Sequence, residues 1–243
     1  MSKELSAGIF SLIQDAIDVA SILNIDRVVI DSHSLRGHSQ ENGTILLLPF
    51  PDDTVLEFGA LGISRVAELK SRLRLLGDSA KVIPDYKERD SGDKFVFRLN
   101  LKRDKTKVEF KCADPSQIRA PKAMNDPEHF VFTFTNEDVG MMLKSKSAMG
   151  ADTVSFVSKD GKSVTFSVMG SEGDSLTHEL TTDVEAKTDT EEFNFIYKTK
   201  ILFPVLKEVL DATKNGEVEV AVTRRGVMKM SIIDIPVFIF PEV

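Results

Sequence analysis

The sequence predicts an α+β protein of two similar domains, each with two helices packed on antiparallel sheet. Three observations carry this. Residues 5–112 read helix, strands, helix, strands, and residues 130–241 read strand, helix, strands, helix, strands. Between them lie Asp114-Pro115, Ala120-Pro121 and Asp126-Pro127, and prolines so closely spaced disfavour helix and interior strand. The 243 residues leave about 120 to each half, enough to bury a core. The expected organisation is a first domain over 1–112, an extended interdomain connector over 113–128 and a second domain over 129–243.

The first helix is expected over 3–21. Leu5, Ile9, Leu12, Ile13, Ala16, Ile17 and Ala20 keep the three-and-four spacing of one apolar face, and Asn24 is a plausible stop. Strands are expected over 27–31, 44–50 and 55–60. Residues 32–43 are polar and rich in turn formers, so a loop is expected there. The second helix, over 63–76, has its stripe at Val66, Leu69, Leu73 and Leu76 and ends at Gly77, a residue suited to a helix end. Strands over 81–86, 95–101 and 106–112 follow, the last two joined by the turn Lys102-Arg103-Asp104-Lys105.

The second half opens with a strand over 130–135. A third helix spans 137–149, capped by Thr135 or Asn136, with Gly150 beyond it. Strands over 152–158 and 163–169 form a hairpin about Asp160-Gly161. Further strands cover 176–185 and 192–198. The fourth helix, over 202–214, tolerates Pro204 in its first turn, and its stripe is Leu202, Val205, Leu206, Val209 and Leu210. Strands over 217–223, 227–233 and 236–240 close the chain.

Composition narrows the function classes. Hydrophobic residues at 42% and charged residues at 28% describe a globular chain that is neither disordered nor fibrous. No apolar run approaches the ~20 residues that span a bilayer, and the first residues lack a basic segment followed by an apolar core, so neither membrane insertion nor secretion is expected. Cys112 is the only cysteine, which excludes an internal disulfide and suits a reducing, intracellular setting.

A net charge of −7 argues against nucleic acid when taken alone, but the charge is unevenly spread. On the second helix, Arg65, Lys70, Arg72 and Arg74 against Glu68 leave +3. Over 198–214, Lys198, Lys200, Lys207 and Lys214 against Glu208 and Asp211 leave +2. The third helix is neutral, the first carries −2 through Asp15 and Asp18, and the remainder of the chain carries −10. Cationic helices on an acidic body suit one surface that faces phosphates while the others repel them.

Catalytic signatures are lacking. No Gly-rich phosphate loop with a following lysine and no Gly-x-Ser-x-Gly elbow is present. Cys112 ends an apolar strand, which fits a buried structural thiol. Asp31, His33 and His38 share a segment, but their spacing matches no metal site, and His129 and His178 lie far off in sequence. Neither a metal nor a cofactor is expected, and the chain is read as a non-enzyme.

Several segments resemble the DNA polymerase sliding clamps, most closely the clamp of T-even-type bacteriophages. They are Ala113-Asp114-Pro115-Ser116 with Ala120-Pro121, Asn136-Glu137-Asp138-Val139 through Leu143-Lys144, Asp152-Thr153-Val154, Lys159-Asp160-Gly161-Lys162, Asp174-Ser175-Leu176-Thr177 and Phe193-Asn194-Phe195-Ile196. In the first half, Asp31-Ser32-His33-Ser34-Leu35 resembles a segment of the cellular clamps, the proliferating cell nuclear antigens. The motifs are short, and their common order over about 110 residues is what makes them specific.

The resemblance implies the DNA clamp fold, with helices turned inward and sheets outward, and a homotrimer closed head to tail into a ring. Such a ring would encircle duplex DNA without reading bases and tether the replicative polymerase, with no catalysis of its own. Implied partners are double-stranded DNA, DNA polymerase, a clamp loader and a late-transcription factor, in a host bacterial cytoplasm. Charge pattern and resemblance together mark Lys70, Arg72, Arg74, Lys144, Lys146, Lys207 and Lys214 as DNA-facing, with Lys146 close to the apolar stripe of its helix. The competing reading is that these are ordinary solvated helix charges. By resemblance alone, Leu35, Ile118, Phe240 and Pro241 would form a pocket for a partner's apolar peptide, although the run 235–241 also suits a core strand. The alternatives are a monomeric or dimeric processivity factor of the same fold, a β-rich enzyme centred on His33 and His38, and a virion protein that borrows the fold.

Overall fold

The computed structural model describes residues 7–39, 43–50, 59–77, 80–121, 126–159, 161–180, 185–186, 192–213, 216–232 and 234–242. Two compact units emerge, Met1–Glu41 with Ile45–Ala123, and Asn42–Thr44 with Met124–Val243.

In the first unit, helix α1 (Ala7–Ile22) precedes strands β1 (Val28–Ile30), β2 (Ser34–His38), β3 (Thr44–Pro49) and β4 (Ala60–Ile63). Helix α2 (Val66–Leu76) then leads to β5 (Lys81–Glu88), β6 (Lys94–Arg103) and β7 (Thr106–Lys111). The strand order is β3-β2-β1-β4-β6-β5. Along its other edge β6 changes neighbour, pairing parallel with β4 at Phe95 and Val96 and antiparallel with β7 from Arg98 to Arg103. A register shift between Asp85 and Tyr86 lies opposite this change. The two helices lie together and close an apolar seam in which Ile13, Ile17, Leu69 and Leu73 meet Leu61, Ile63, Val82, Leu99 and Leu101 of the sheet, all buried. Burial of that many aliphatic side chains, at about 1.5–3 kcal/mol each, dominates the stability of this unit.

The second unit repeats the order. Strand β8 (Glu128–Thr135) and helix α3 (Asn136–Met149) precede β9 (Thr153–Ser158), β10 (Thr165–Met169), β11 (Ser175–Glu179), β12 (Glu185–Ala186) and β13 (Phe193–Lys198). Helix α4 (Thr199–Ala212) is followed by β14 (Glu217–Thr223), β15 (Met228–Ile232) and β16 (Ile235–Ile239). One sheet runs β12-β8-β14-β15-β16, and a four-stranded sheet runs β11-β10-β9-β13. Alternate phenylalanines of β8 face the second sheet, with Phe134 and Phe132 at 5.6 and 6.4 Å from Phe156 of β9. Two helices on predominantly antiparallel sheet, twice over, is the architecture the sequence predicts.

Several boundaries differ from expectation. The segment read as a loop over 32–43 contains β2, which pairs with both β1 and β3. Its residues lack apolar alternation, and Gly37 is needed there because a Cβ would meet Val28 Cγ1 at 2.7 Å. The single strand expected over 176–185 is two strands in different sheets, β11 and β12. Helix α4 begins at Thr199, which places Pro204 beyond the first turn, on the exposed side. There the missing N–H falls where water can replace it. The strand expected over 55–60 falls mostly outside the described residues, as do residues 3–6 of the first helix and Asp160 of the hairpin turn. The start of the connector is not simply extended: Pro115–Gln117 form a 3₁₀ turn with Asp114 as its cap, and Ala113 bridges Gly62 of β4.

Candidate nucleic-acid interface

Helix α2 buries Val66, Leu69, Leu73 and Leu76, so the apolar spacing sets its orientation. The residues farthest from that stripe are Ala67, Ser71 and Leu75, all exposed, with Leu75 at 73%. Lys70, Arg72 and Arg74 therefore do not share one face, as the sequence suggested. Lys70 and Arg74, one turn apart, flank the stripe on the α1 side. Arg72 lies about 200° from Lys70 around the helix and flanks it on the β7 side.

On the β7 side, Glu68 Oε2 accepts from Arg65 at 2.9 Å and from Arg72 at 3.1 Å, and both guanidinium groups lie over the Phe110 ring at 5.0 and 5.1 Å. On the α1 side, Lys70 Nζ lies 2.9 Å from Asp18 Oδ1. A groove of about 260 Å³ runs there between the helices, lined by Gln14, Ile17, Asp18, Lys70, Leu73, Arg74 and Gly77. At the helix end, Arg103 donates to the Leu76 carbonyl at 2.5 Å and places a cation at the negative end of the dipole.

In the second unit, Lys144 is exposed on α3. Lys146 is half-buried with Nζ 5.8 Å from the centre of the Phe203 ring, against the apolar side as its spacing suggested. The exposed line of α4 is Lys200, Pro204, Lys207 and Asp211. Lys214 lies outside the described residues. Helix α3 starts from a reciprocal capping box in which Thr135 Oγ1 accepts from Asp138 N–H while Asp138 accepts from Thr135 N–H. Thr199 anchors α4, its hydroxyl donating to the carbonyls of Ala151 and Asp152 at 2.9 and 3.1 Å.

Of the residues expected to receive a partner peptide, Leu35 is fully buried, and Ile118 is 7% exposed and packs toward Gly62. Phe240 and Pro241 are half-buried. Phe240 N–H donates to the Gly43 carbonyl, and Glu242 N–H donates to Ile196 at the edge of β13.

The remaining candidates for chemistry are structurally committed. Asp31 Oδ1 accepts from the backbone N–H groups of His33 and Ser34, and its other oxygen pairs with Arg36. Burial pushes the Cys112 thiol up to about 12, so it is not a thiolate near neutral pH. Among the described residues, no three His, Cys, Asp or Glu side chains cluster as metal ligands, and no helix is long and apolar enough to cross a membrane.

Two side-chain contacts that matter were not legible in the sequence. Asp18, noted in the sequence only for the negative charge it gives the first helix, proves to be the partner of Lys70. Tyr197, fully buried, donates its hydroxyl to the Gly226 carbonyl at 2.6 Å, and nothing in the local sequence marked that bond.

No protein-family model matches the sequence, and no curated protein does. Among solved structures, the Proliferating Cellular Nuclear Antigen of Entamoeba histolytica is similar over 100% of this chain and 97% of its own, with a TM-score of 0.61 at 15% identity. That likeness spans the whole chain, and the chain has the DNA-clamp fold.

Proposed function

We propose that the protein is a sliding clamp, a processivity factor that encircles duplex DNA and tethers a polymerase without catalysing a reaction. The observation that carries this is the clamp fold over the whole chain; the cations its helices present, Lys70, Arg72 and Arg74 on α2, Lys144 on α3 and Lys207 on α4, support it. Ring closure needs two different surfaces that meet head to tail. Among the described residues β5 and β7 in the first unit, and β11, β12 and β13 in the second, each have a single strand neighbour, and such open edges are candidates for that contact. A homotrimer closed in this way is the assembly we assign.

Within this reading the half-buried Phe240 and Pro241 are the accessible candidates for a partner's apolar segment, whereas Leu35 and Ile118 are buried within the first unit. Polymerase, clamp loader and a late-transcription factor are the partners this reading assigns, and a phage source in a bacterial cytoplasm is the setting suggested by the resemblance of the sequence.

The test is solution mass by light scattering across a concentration series, paired with retention on circular and linear duplex. A trimer has three times the 27.0 kDa of one chain. A mass of three chains with retention on circles and escape from linear ends supports the ring. A single-chain mass at every concentration, with equal release from both DNA forms, overturns it in favour of a factor that grips from one side.

A further inference from the structure

We propose that Asp18 is a built-in competitor for phosphate, a carboxylate that occupies Lys70 until DNA displaces it and so keeps the grip of the α1–α2 surface weak enough to slide. This rests on the clamp reading and concerns how the same surface is regulated.

The geometry carries the argument. Lys70 Nζ is 2.9 Å from Asp18 Oδ1, and the lysine side chain is 14% exposed while the aspartate is 47% exposed. The carboxylate thus lies on the solvent side of the pair, where a phosphate oxygen would have to approach. Both residues line the groove between the helices together with Arg74, which has no carboxylate partner among the described residues. Across α2, Glu68 holds Arg65 and Arg72 in the same manner. Three of the four cations of this segment are therefore already matched by carboxylates of the chain itself. A phosphate that engages Lys70 gains one ion pair and breaks another, so the net gain is small. A surface that must follow a duplex for long distances needs many such weak, exchangeable contacts more than a few strong ones. Asp15, one turn from Asp18 on the same side of α1, adds to the negative field; burial and the Asp18 charge hold its carboxyl above the usual range.

The experiment uses the full chain and a short fluorescent linear duplex, titrated at several salt concentrations, beside retention on nicked circles. Asp18→Asn is compared with Glu172→Gln, a charge-matched change in an exposed turn. The expected result for Asp18→Asn is several-fold tighter binding with a salt slope steeper by about one phosphate equivalent. The thermal midpoint stays unchanged, and Glu172→Gln behaves as the parent. Adding Lys70→Gln to Asp18→Asn should abolish the gain, a coupling that a change in net charge alone would not produce. Parental binding by Asp18→Asn, while the parent binds duplex and stays on circles, overturns the competitor and leaves the clamp reading standing. A gain that survives Lys70→Gln overturns the pairing as its cause. A parent that neither binds duplex nor stays on circles overturns the clamp reading and this proposal with it.

Discussion

Asp138 shows how much one side chain can organise. It is 1% exposed, yet it accepts from Thr135 N–H at 2.9 Å and Thr135 Oγ1 at 2.7 Å, and it lies 3.1 Å from His178 Nε2 on β11. Burial pushes its carboxyl up, but the Thr135 donors and His178 outweigh burial and hold it below the usual carboxylate range. A carboxyl depressed on folding stabilises the protein above its unfolded value, near 4, and that contribution fades as pH falls through the lower folded value. Asp138→Asn should therefore lose about 1–2 kcal/mol at neutral pH, and the difference from the parent should vanish in acid. Urea melts from pH 7 down to 3 check this, and a difference that persists unchanged into acid contradicts it. Tyr197 acts by another route. Its hydroxyl satisfies the buried Gly226 carbonyl in the β14–β15 turn, where Gly226 has φ 77 and a Cβ would meet the Phe195 ring at 2.4 Å. Tyr197→Phe leaves that carbonyl without its donor and should cost about 1–3 kcal/mol in the same melts.

At the scale of elements, legibility followed the kind of force that fixes each segment. The stripes of α2 and α4 were readable because burial repeats with the helical period: every residue the spacing named is buried apart from the half-buried Leu210, although α4 also buries Thr199 and Phe203, which the spacing did not name. Strand β2 was not readable. In Ser34-Leu35-Arg36-Gly37-His38 it carries one aliphatic side chain, and pairing along both edges holds it in place. The start of α4 was hidden for a related reason, because Thr199 takes its partners from residues almost fifty positions earlier. The candidate interface was half legible. Residue types identified the cations, but grouping Lys70, Arg72 and Arg74 together ignored that alternate helical positions point nearly opposite ways. The correction changes what a mutation reports. Arg74→Glu alters an exposed side chain and should weaken duplex binding with stability kept within about 0.5 kcal/mol. Arg72→Glu also removes a cation from Phe110 and sets a second acid one turn from Glu68, so it should lose about 1 kcal/mol as well. Comparing thermal midpoints with duplex affinity for the two variants separates the effects, and equal stability would show that the Phe110 contact contributes little.

For the whole molecule, the question is whether a chain of net charge −7 can stay on DNA at all. Direct attraction is a poor answer. Several of the helical cations are matched internally by carboxylates, and the acidic remainder of the chain repels the polyanion. A closed ring removes the difficulty, because topology rather than affinity then prevents escape, and weak contacts serve only to centre the duplex. The two mechanisms respond oppositely to salt. Electrostatic grip falls steeply as counterions compete for phosphate, while a threaded ring leaves a circle only when a protomer interface opens. Raising salt from about 0.1 to 0.3 M should therefore weaken equilibrium binding to short linear duplex by roughly tenfold or more. Retention on nicked circles should change little over the same range, and a single cut in the circle should release the protein at once. Retention that collapses in parallel with linear binding would mean that charge alone holds the protein, and the one-sided factor would replace the ring.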